Sequence, residues 1–317
     1  MSSMQSPESD FILHGEDLTH RYAMNRSFGD ILSGTRRTVT GISGVNIAVK
    51  RGEVFAVVGE SGSGKSTLGR ILLGLIKPTL GRVFYDGKNI AEFTSGQRMN
   101  FRRKAQVVYQ DPFSALDPSM RIGRQIREPL DVHRIGTPAQ RNASVAALLE
   151  QVGLDPALAS VRPEELSGGM RQRVGIAMAL ASSPDIIVAD EPTSALDVSV
   201  QAQILNVMAM LQQQRNLAMV FISHDLGVVS HFADRVAVMY LGRIVEQAAV
   251  RQLFAEPKHP YTRLLLSAVP SHRRTAEPLP EAPRGEPASP LSPPTGSHFI
   301  RAALSPWIAA ESKRRKC

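Results

Sequence analysis

Apolar residues occupy every second position through Val45, Ile47 and Val49, and then run unbroken from Val54 through Phe55, Ala56 and Val57 to Val58. The alternation predicts a strand, and the unbroken run beyond a turn at Gly52 predicts a buried one. A helix is expected over 68–75. Arg82 to Tyr85 followed by Asp86 and Gly87 predicts a hairpin, because an Asp-Gly pair suits the tight turn between antiparallel strands. The first 110 residues are thus strand-rich. From about 111 to 165 the period changes: 122–130 and 143–152 carry helical spacing with no strong strand between them, which reads as a helical insertion. An α/β rhythm then resumes with a helix over 170–181, a strand over 186–189, a helix over 198–213 and a strand over 218–222. Two final strands are expected near 236–240 and 243–245. A parallel sheet flanked by helices is the simplest assembly of this pattern.

From about 270 the pattern stops. Prolines at 270, 278, 280, 283, 287, 290, 293 and 294 forbid regular helix and predict an extended or poorly ordered segment that carries no catalysis. The 317 residues allow a large core with a subdomain or extension besides. No apolar run approaches the roughly 20 residues of a membrane helix. The stretch from Met1 to Asp10 is polar and acidic rather than basic and then apolar, so the chain is expected to remain in the cytoplasm. The one cysteine, Cys317, excludes an intramolecular disulfide and an all-cysteine metal site within one chain. A net charge of +8 and a pI near 9.9 suit anionic lipid heads, nucleic acid or an acidic partner, and equally a solvated surface with a basic tail.

Two stretches have the character of phosphate cradles. The first, Gly59-Glu60-Ser61-Gly62-Ser63-Gly64-Lys65-Ser66-Thr67, fits G-x-x-x-x-G-K-[ST] and follows the buried strand, the context this motif needs. Its glycines let main-chain N–H groups close around a β-phosphate, Lys65 reaches the β- and γ-phosphates, and Ser66 holds Mg²⁺. The second is Leu166-Ser167-Gly168-Gly169-Met170, a turn opening into a helix, where outward N–H groups make an anion site. Two cradles in one chain suggest a nucleotide site shared between subunits. Neither motif repeats, so the chain holds a single unit.

The four apolar residues 186–189 put Asp190 at the end of a buried strand, where its carboxylate can reach the Mg²⁺ held by Ser66. Glu191 follows and points elsewhere; beside a γ-phosphate it is placed to accept a proton from an attacking water. His224 ends another apolar strand. Phosphate chemistry in open α/β sheets gathers beyond the carboxyl ends of the strands, so His224 can bond the γ-phosphate or hold the water and Glu191 in line. Gln110, closing a strand over 106–109, can reach the metal or the water without adding charge. Tyr22 can stack an adenine ring; core packing is its other reading, and Phe28 is the competing aromatic.

These residues, in this order, resemble the ATP-binding cassette of ABC transporters over roughly residues 8–270. The resemblance implies an α/β P-loop NTPase core with an antiparallel β subdomain, a helical subdomain inserted at about 111–180, and the proline-rich extension at 271–317. By it Tyr22 is the A-loop aromatic, 59–67 is Walker A, Gln110 is the Q-loop glutamine and 166–170 is the signature, with Met170 where glutamine is usual. Asp185 to Asp190 is Walker B, Glu191 the catalytic glutamate, Ser194 to Asp197 the D-loop and His224 the switch histidine.

The segments 110–118, 239–243 and 256–262 are similar to the ATPase subunits of dipeptide, oligopeptide and nickel importers. That resemblance implies an ATP- and Mg²⁺-dependent ATPase, peripheral on the cytoplasmic face of the inner membrane. Its implied partners are a second ATPase subunit, identical or merely similar, integral membrane permeases and, indirectly, a substrate-binding protein. Members of the group with a cysteine cluster after the proline-rich stretch differ from this chain, which has Ser297 there and only Cys317 beyond, so no iron–sulfur cluster is expected. Each of two ATPs is expected between Lys65 and its loop in one subunit and Ser167, Gly168 and Gly169 of the other. A soluble ATPase of the same family acting on DNA or ribosomes is the alternative. Such proteins generally fuse two cassettes or carry long coiled-coil or zinc insertions, and neither feature occurs in the sequence.

Overall fold

A computed structural model describes residues 10–23 and 38–267. The extension expected at 271–317, with Ser297 and Cys317, lies outside the described residues, as does Phe28.

The central layer is a six-stranded sheet made of β3 (Val54–Val58), β6 (Ala105–Val108), β7 (Ile186–Asp190), β8 (Ala218–Ser223), β9 (Arg235–Tyr240) and β10 (Arg243–Ala249), in the order β10-β9-β3-β8-β7-β6. Its interior strands read as unbroken apolar runs because both faces are covered. Val54, Ala56 and Val58 point into one hydrophobic cluster with Ile187, Ala189, Met219 and Phe221. Phe55 and Val57 point into the other with Ile186, Val188, Val220 and Ile222. The two-residue period of a strand thus divides one apolar run between two cores.

The sheet departs from the all-parallel expectation at one edge. The pairs β3–β8, β3–β9, β6–β7 and β7–β8 are parallel, but β10 runs antiparallel to β9. Only Leu241 and Gly242 separate the two, both with positive φ (44° and 78°). A crossover to a parallel neighbour needs a dozen residues or more, whereas two residues with positive φ make a hairpin.

A second, antiparallel sheet of β1 (Phe11–Ala23), β2 (Thr38–Lys50), β4 (Leu80–Tyr85) and β5 (Lys88–Asn89) is ordered β2-β1-β4-β5. Asp86 (φ 50°) and Gly87 (φ 72°) turn β4 into β5, as their pairing in sequence predicts. Between the two sheets lies α1 (Lys65–Leu72), whose Leu68, Ile71 and Leu72 are fully buried in the second cluster. The helix begins three residues before the expected start, directly at the lysine, and Gly74 (φ 65°) follows its end.

After α2 (Ser95–Lys104) and β6, the chain is wholly helical or turn up to β7. It forms α3 (Pro112–Ala115), α4 (Ile122–Val132), α5 (Pro138–Gln151), two 3-10 turns (Pro156–Ser160 and Pro163–Glu165) and α6 (Gly168–Ala181). Ile122, Ile126 and Leu130 on one face of α4 meet Val145, Leu148 and Leu149 of α5, and Val174 and Ala177 of α6 complete that packing. The remaining helices are α7 (Val198–Arg215), α8 (Leu226–Phe232), α9 (Val250–Ala255) and α10 (Pro260–Ser267). Among the described residues no helix is long and apolar enough to cross a membrane.

Candidate functional site

The glycine-rich loop leaves β3 at Val58 and enters α1 at Lys65. Two of its glycines have no substitute. Gly59 (φ 153°) packs so closely on the Met239 carbonyl that a Cβ would collide with it, and Gly64 (φ 101°) stands likewise against the Gly41 carbonyl. The tight loop buries Lys65, which is 4% exposed, with Nζ donating to the Gly59 and Glu60 carbonyls at 2.8 Å each. Burial draws the Lys65 ammonium below its ordinary pKa, while the carboxylates of Glu191 and Asp190 pull it back up. Ser63 Oγ is buried and has no hydrogen-bond partner among the described residues. A buried hydroxyl left unpaired costs free energy, and a phosphate oxygen in the loop is the acceptor that would satisfy it. The loop therefore fits a phosphate on grounds of shape, charge and an orphaned donor.

Asp190 and Glu191 stand at the carboxyl end of β7. Ser66 Oγ donates to Asp190 Oδ1 at 2.9 Å. Burial pushes the Asp190 carboxyl above its ordinary range, and the Ser66 hydrogen bond partly offsets this. These two hard oxygens, side by side next to the phosphate loop, fit Mg²⁺, which prefers one or two protein oxygens and completes its shell with phosphate and water. Asp185, at the other end of the strand, pairs with Lys104 Nζ at 2.7 Å and accepts from the Tyr85 hydroxyl at 2.7 Å.

Glu191 breaks the strand with φ 46°, a left-handed angle that costs a non-glycine residue about 1–2 kcal/mol. Its N–H is held by the Ile222 carbonyl at 3.0 Å, and Ser194 Oγ donates to its carbonyl at 3.1 Å. Three side chains meet its carboxylate. Lys65 Nζ lies 3.8 Å from Oε1, His224 Nδ1 lies 3.1 Å from Oε2, and Gln110 Nε2 donates to Oε2 at 3.4 Å. Gln110 reaches from beyond β6 and His224 from beyond β8, so four strand ends supply one cluster.

Tyr22 lies at the outer end of the same helix start, with its hydroxyl 3.0 Å from Thr67 Oγ1 and its ring edge-on to His20. It is 38% exposed, which leaves part of the ring open to solvent. Ser61 and Gly62 form the exposed crest of the loop.

Ser167, Gly168 and Gly169 open α6 in another part of the molecule. Ser167 caps the helix, its Oγ accepting from the Met170 N–H at 3.4 Å. A Cβ added to Gly168 would touch Leu196, and one added to Gly169 would strike Val200. Met170, the departure from the usual signature, packs its side chain against the larger core. Among the described residues no hydrogen bond or ion pair joins this turn to the phosphate loop.

Two residues that the sequence did not single out support the cluster. Gln172 is buried on α6 and donates to the Tyr109 carbonyl at 3.2 Å, tying the signature helix to the residue before Gln110. Tyr261 Oη accepts from the Glu60 N–H at 3.2 Å, across 201 positions of sequence. Gln172 sits between two arginines and reads as surface. Tyr261 lies in the segment 256–262, whose sequence carries a family resemblance but no local signal that links it to the phosphate loop.

Residues 42–194 match the family model described as ABC transporter, and residues 245–302 match that of the oligopeptide/dipeptide transporter C-terminal region. A putative peptide import ATP-binding protein of Brucella ovis is 49% identical over 258 residues, covering 81% of each chain. An oligopeptide transport ATP-binding protein of Bacillus subtilis is 46% identical over 264 residues, covering 82% of this chain and 80% of the relative. Among solved structures, a dimeric ATP-binding cassette in a post-hydrolysis state with ADP and Pi superposes with a TM-score of 0.66 at 29% identity, covering 75% of this chain and 99% of that one. The cbiO1 protein of Clostridium perfringens, part of the ABC transporter complex cbiONQ, superposes with a TM-score of 0.64 at 30% identity, covering 78% of this chain and 92% of that one.

Proposed function

The chain belongs to the ATP-binding subunits of ABC transporters, and on that footing we propose that it is the ATPase of an importer that takes up peptides, or a related solute such as nickel, across the cytoplasmic membrane. The carrying observation is the convergence of Lys65, Gln110 and His224 on the Glu191 carboxylate, next in sequence to the Asp190 that pairs with Ser66. The curated relatives support the importer reading through their names, and the alternative of a nucleic-acid or ribosome ATPase finds no support in them.

The residues divide the work of hydrolysis by chemistry. Lys65 and the loop N–H groups neutralise the β- and γ-phosphate charge, and Ser63 gains the acceptor it lacks. Ser66 and Asp190 would hold Mg²⁺, with Gln110 at the edge of the same site; the ion, when bound, supplies charge stabilisation of the phosphate oxygens. Glu191 accepts the proton of the attacking water. His224 and Gln110, each within reach of Glu191 Oε2, fix the orientation of that carboxylate and order the water in front of it. The partly open ring of Tyr22 stacks the adenine.

One chain supplies only half of each site. Ser167, Gly168 and Gly169 neighbour Leu196 and Val200 rather than their own phosphate loop, which suits donation to the γ-phosphate held by a second ATPase subunit. Loss of that phosphate then releases the pair, and the helical insertion hinged at Gln110 passes the motion to integral membrane permeases. The chain would lie peripherally on the cytoplasmic face of the inner membrane, with a substrate-binding protein outside supplying specificity.

Glu191→Gln tests the assignment. In the assembled transporter it should retain ATP binding and lower steady-state hydrolysis by about 10²–10⁴-fold, the range for loss of a general base. Hydrolysis at the wild-type rate would remove Glu191 from the chemistry.

A further inference from the structure

The phosphate loop is braced by a segment 201 positions further along the chain. Glu246, on β10, accepts from the N–H groups of Lys258 and His259 at 2.8 and 2.9 Å, which fixes the turn that carries Pro257 and Pro260. His259 Nδ1 in turn accepts from the Tyr261 N–H at 3.1 Å, and Arg263 Nε ties α10 back to the Pro257 carbonyl at 2.9 Å. This anchored helix start drives the Tyr261 ring into the core, where it is 1% exposed and lies 4.5 Å, centroid to centroid, from Tyr240 at the end of β9. From there its oxygen meets the Glu60 N–H. Gly242, just beyond β9, adds a second brace, its N–H donating to the Ser63 carbonyl at 2.9 Å.

The atoms involved give this contact a consequence. The Gly59 carbonyl and the Glu60 N–H belong to one peptide group, and that group is planar and rigid. Tyr261 Oη holds its N–H side while Lys65 Nζ holds its carbonyl side. The next carbonyl, that of Glu60, also takes Lys65 Nζ and the Ser63 N–H at 3.2 Å. Rotation of the 59–60 peptide would therefore lose the Tyr261 contact and turn the Gly59 carbonyl away from the lysine, leaving Lys65 held by the Glu60 carbonyl alone.

We propose that Tyr261 is a positioning residue for nucleotide: its phenol oxygen locks the Gly59–Glu60 peptide, and through it the place of the Lys65 ammonium, so that the segment after β10 sets the affinity of the phosphate loop. The proposal rests on the reading of 59–67 as the ATP phosphate site. Lys65 meets the phosphates in the ground state and in the transition state alike, so loosening it weakens binding without slowing the bound complex. Such loss of uniform binding raises KM and leaves kcat in place.

The test uses Tyr261→Phe, which keeps the ring and removes the oxygen, in the assembled transporter and alongside Lys65→Ala. Tyr261→Phe should raise the ATP dissociation constant and the KM for ATP by about 10-fold, the scale of leaving a part-buried N–H unpaired, with kcat within about 2-fold. On the Lys65→Ala background the same change should add less than about 2-fold, because both substitutions act through one interaction. Wild-type affinity in Tyr261→Phe overturns the proposal, and so does a full additive loss in the double variant, which marks a merely structural role. Wild-type affinity in Lys65→Ala instead overturns the phosphate-site reading beneath it. Should Tyr261→Phe fail to assemble, hydrogen exchange in the wild-type transporter decides: a protected Glu60 amide supports the lock, and rapid exchange there refutes it.

Discussion

Asp190 ends β7 half-buried, its carboxyl raised in pKa by desolvation and paired with a serine hydroxyl rather than a cation. Such a group is costly to ionise alone and gains most from a nearby positive charge. Asp190→Asn, which keeps the shape and an acceptor for Ser66, should lower ATP hydrolysis by about 100-fold or more and move its Mg²⁺ dependence to higher concentration. A Mg²⁺ titration of hydrolysis checks this, and an unshifted curve would take Asp190 out of the metal site. The motif spacing in the sequence was enough to place Lys65, Ser66, Gln110, Asp190, Glu191 and His224 at strand ends, because strand runs and glycine turns are local signals. It could not show the left-handed turn at Glu191, since φ there depends on the Ile222 carbonyl in another strand. Nor could it show Tyr261 on Glu60, a contact that exists only after β10 and α10 have docked.

At the level of elements, legibility followed the strength of the apolar period. The strands of the central sheet and the helix α4 appear close to their expected bounds, except that β10 runs four residues further, to Ala249, and α5 starts five residues early, at Pro138. In α2 only Phe101 is buried, so no apolar stripe announces the helix. It forms because Thr94 and Gln97 make a reciprocal cap and Phe101 packs edge-on against Tyr85 and Phe93. Strand β1 is obscured differently: Asp17 (φ 48°) interrupts it, and the register against β2 shifts between Gly15 and Leu18, so alternation fails halfway along. The helical insertion between β6 and β7 offers a separate test of local stability. Thr137 caps α5 in a second reciprocal box with Gln140. Thr137→Ala should cost about 1 kcal/mol of unfolding free energy, measured by denaturant titration. ATP affinity should not move, because Thr137 lies far in the chain and in the fold from the phosphate loop.

For the molecule as a whole, two sheets and a helical insertion place the Lys65–Glu191 cluster at the strand ends and the Ser167–Gly169 turn elsewhere. The phosphate loop and the Glu191 cluster are joined by hydrogen bonds within the chain, whereas Ser167 makes its contacts at the head of α6, next to the segment that follows Glu191. A site completed by a second subunit requires that this turn serve the partner's nucleotide and leave the chain's own affinity alone. Ser167→Arg separates the two possibilities, since the arginine fills the turn without touching Lys65. The isolated Ser167→Arg chain should bind ATP within about 3-fold of wild type, while the assembled transporter carrying it should lose hydrolysis by about 100-fold, the scale for losing a preorganised donor to the transition state. Intact hydrolysis in that transporter, or a matching loss of affinity in the isolated chain, would contradict the shared site.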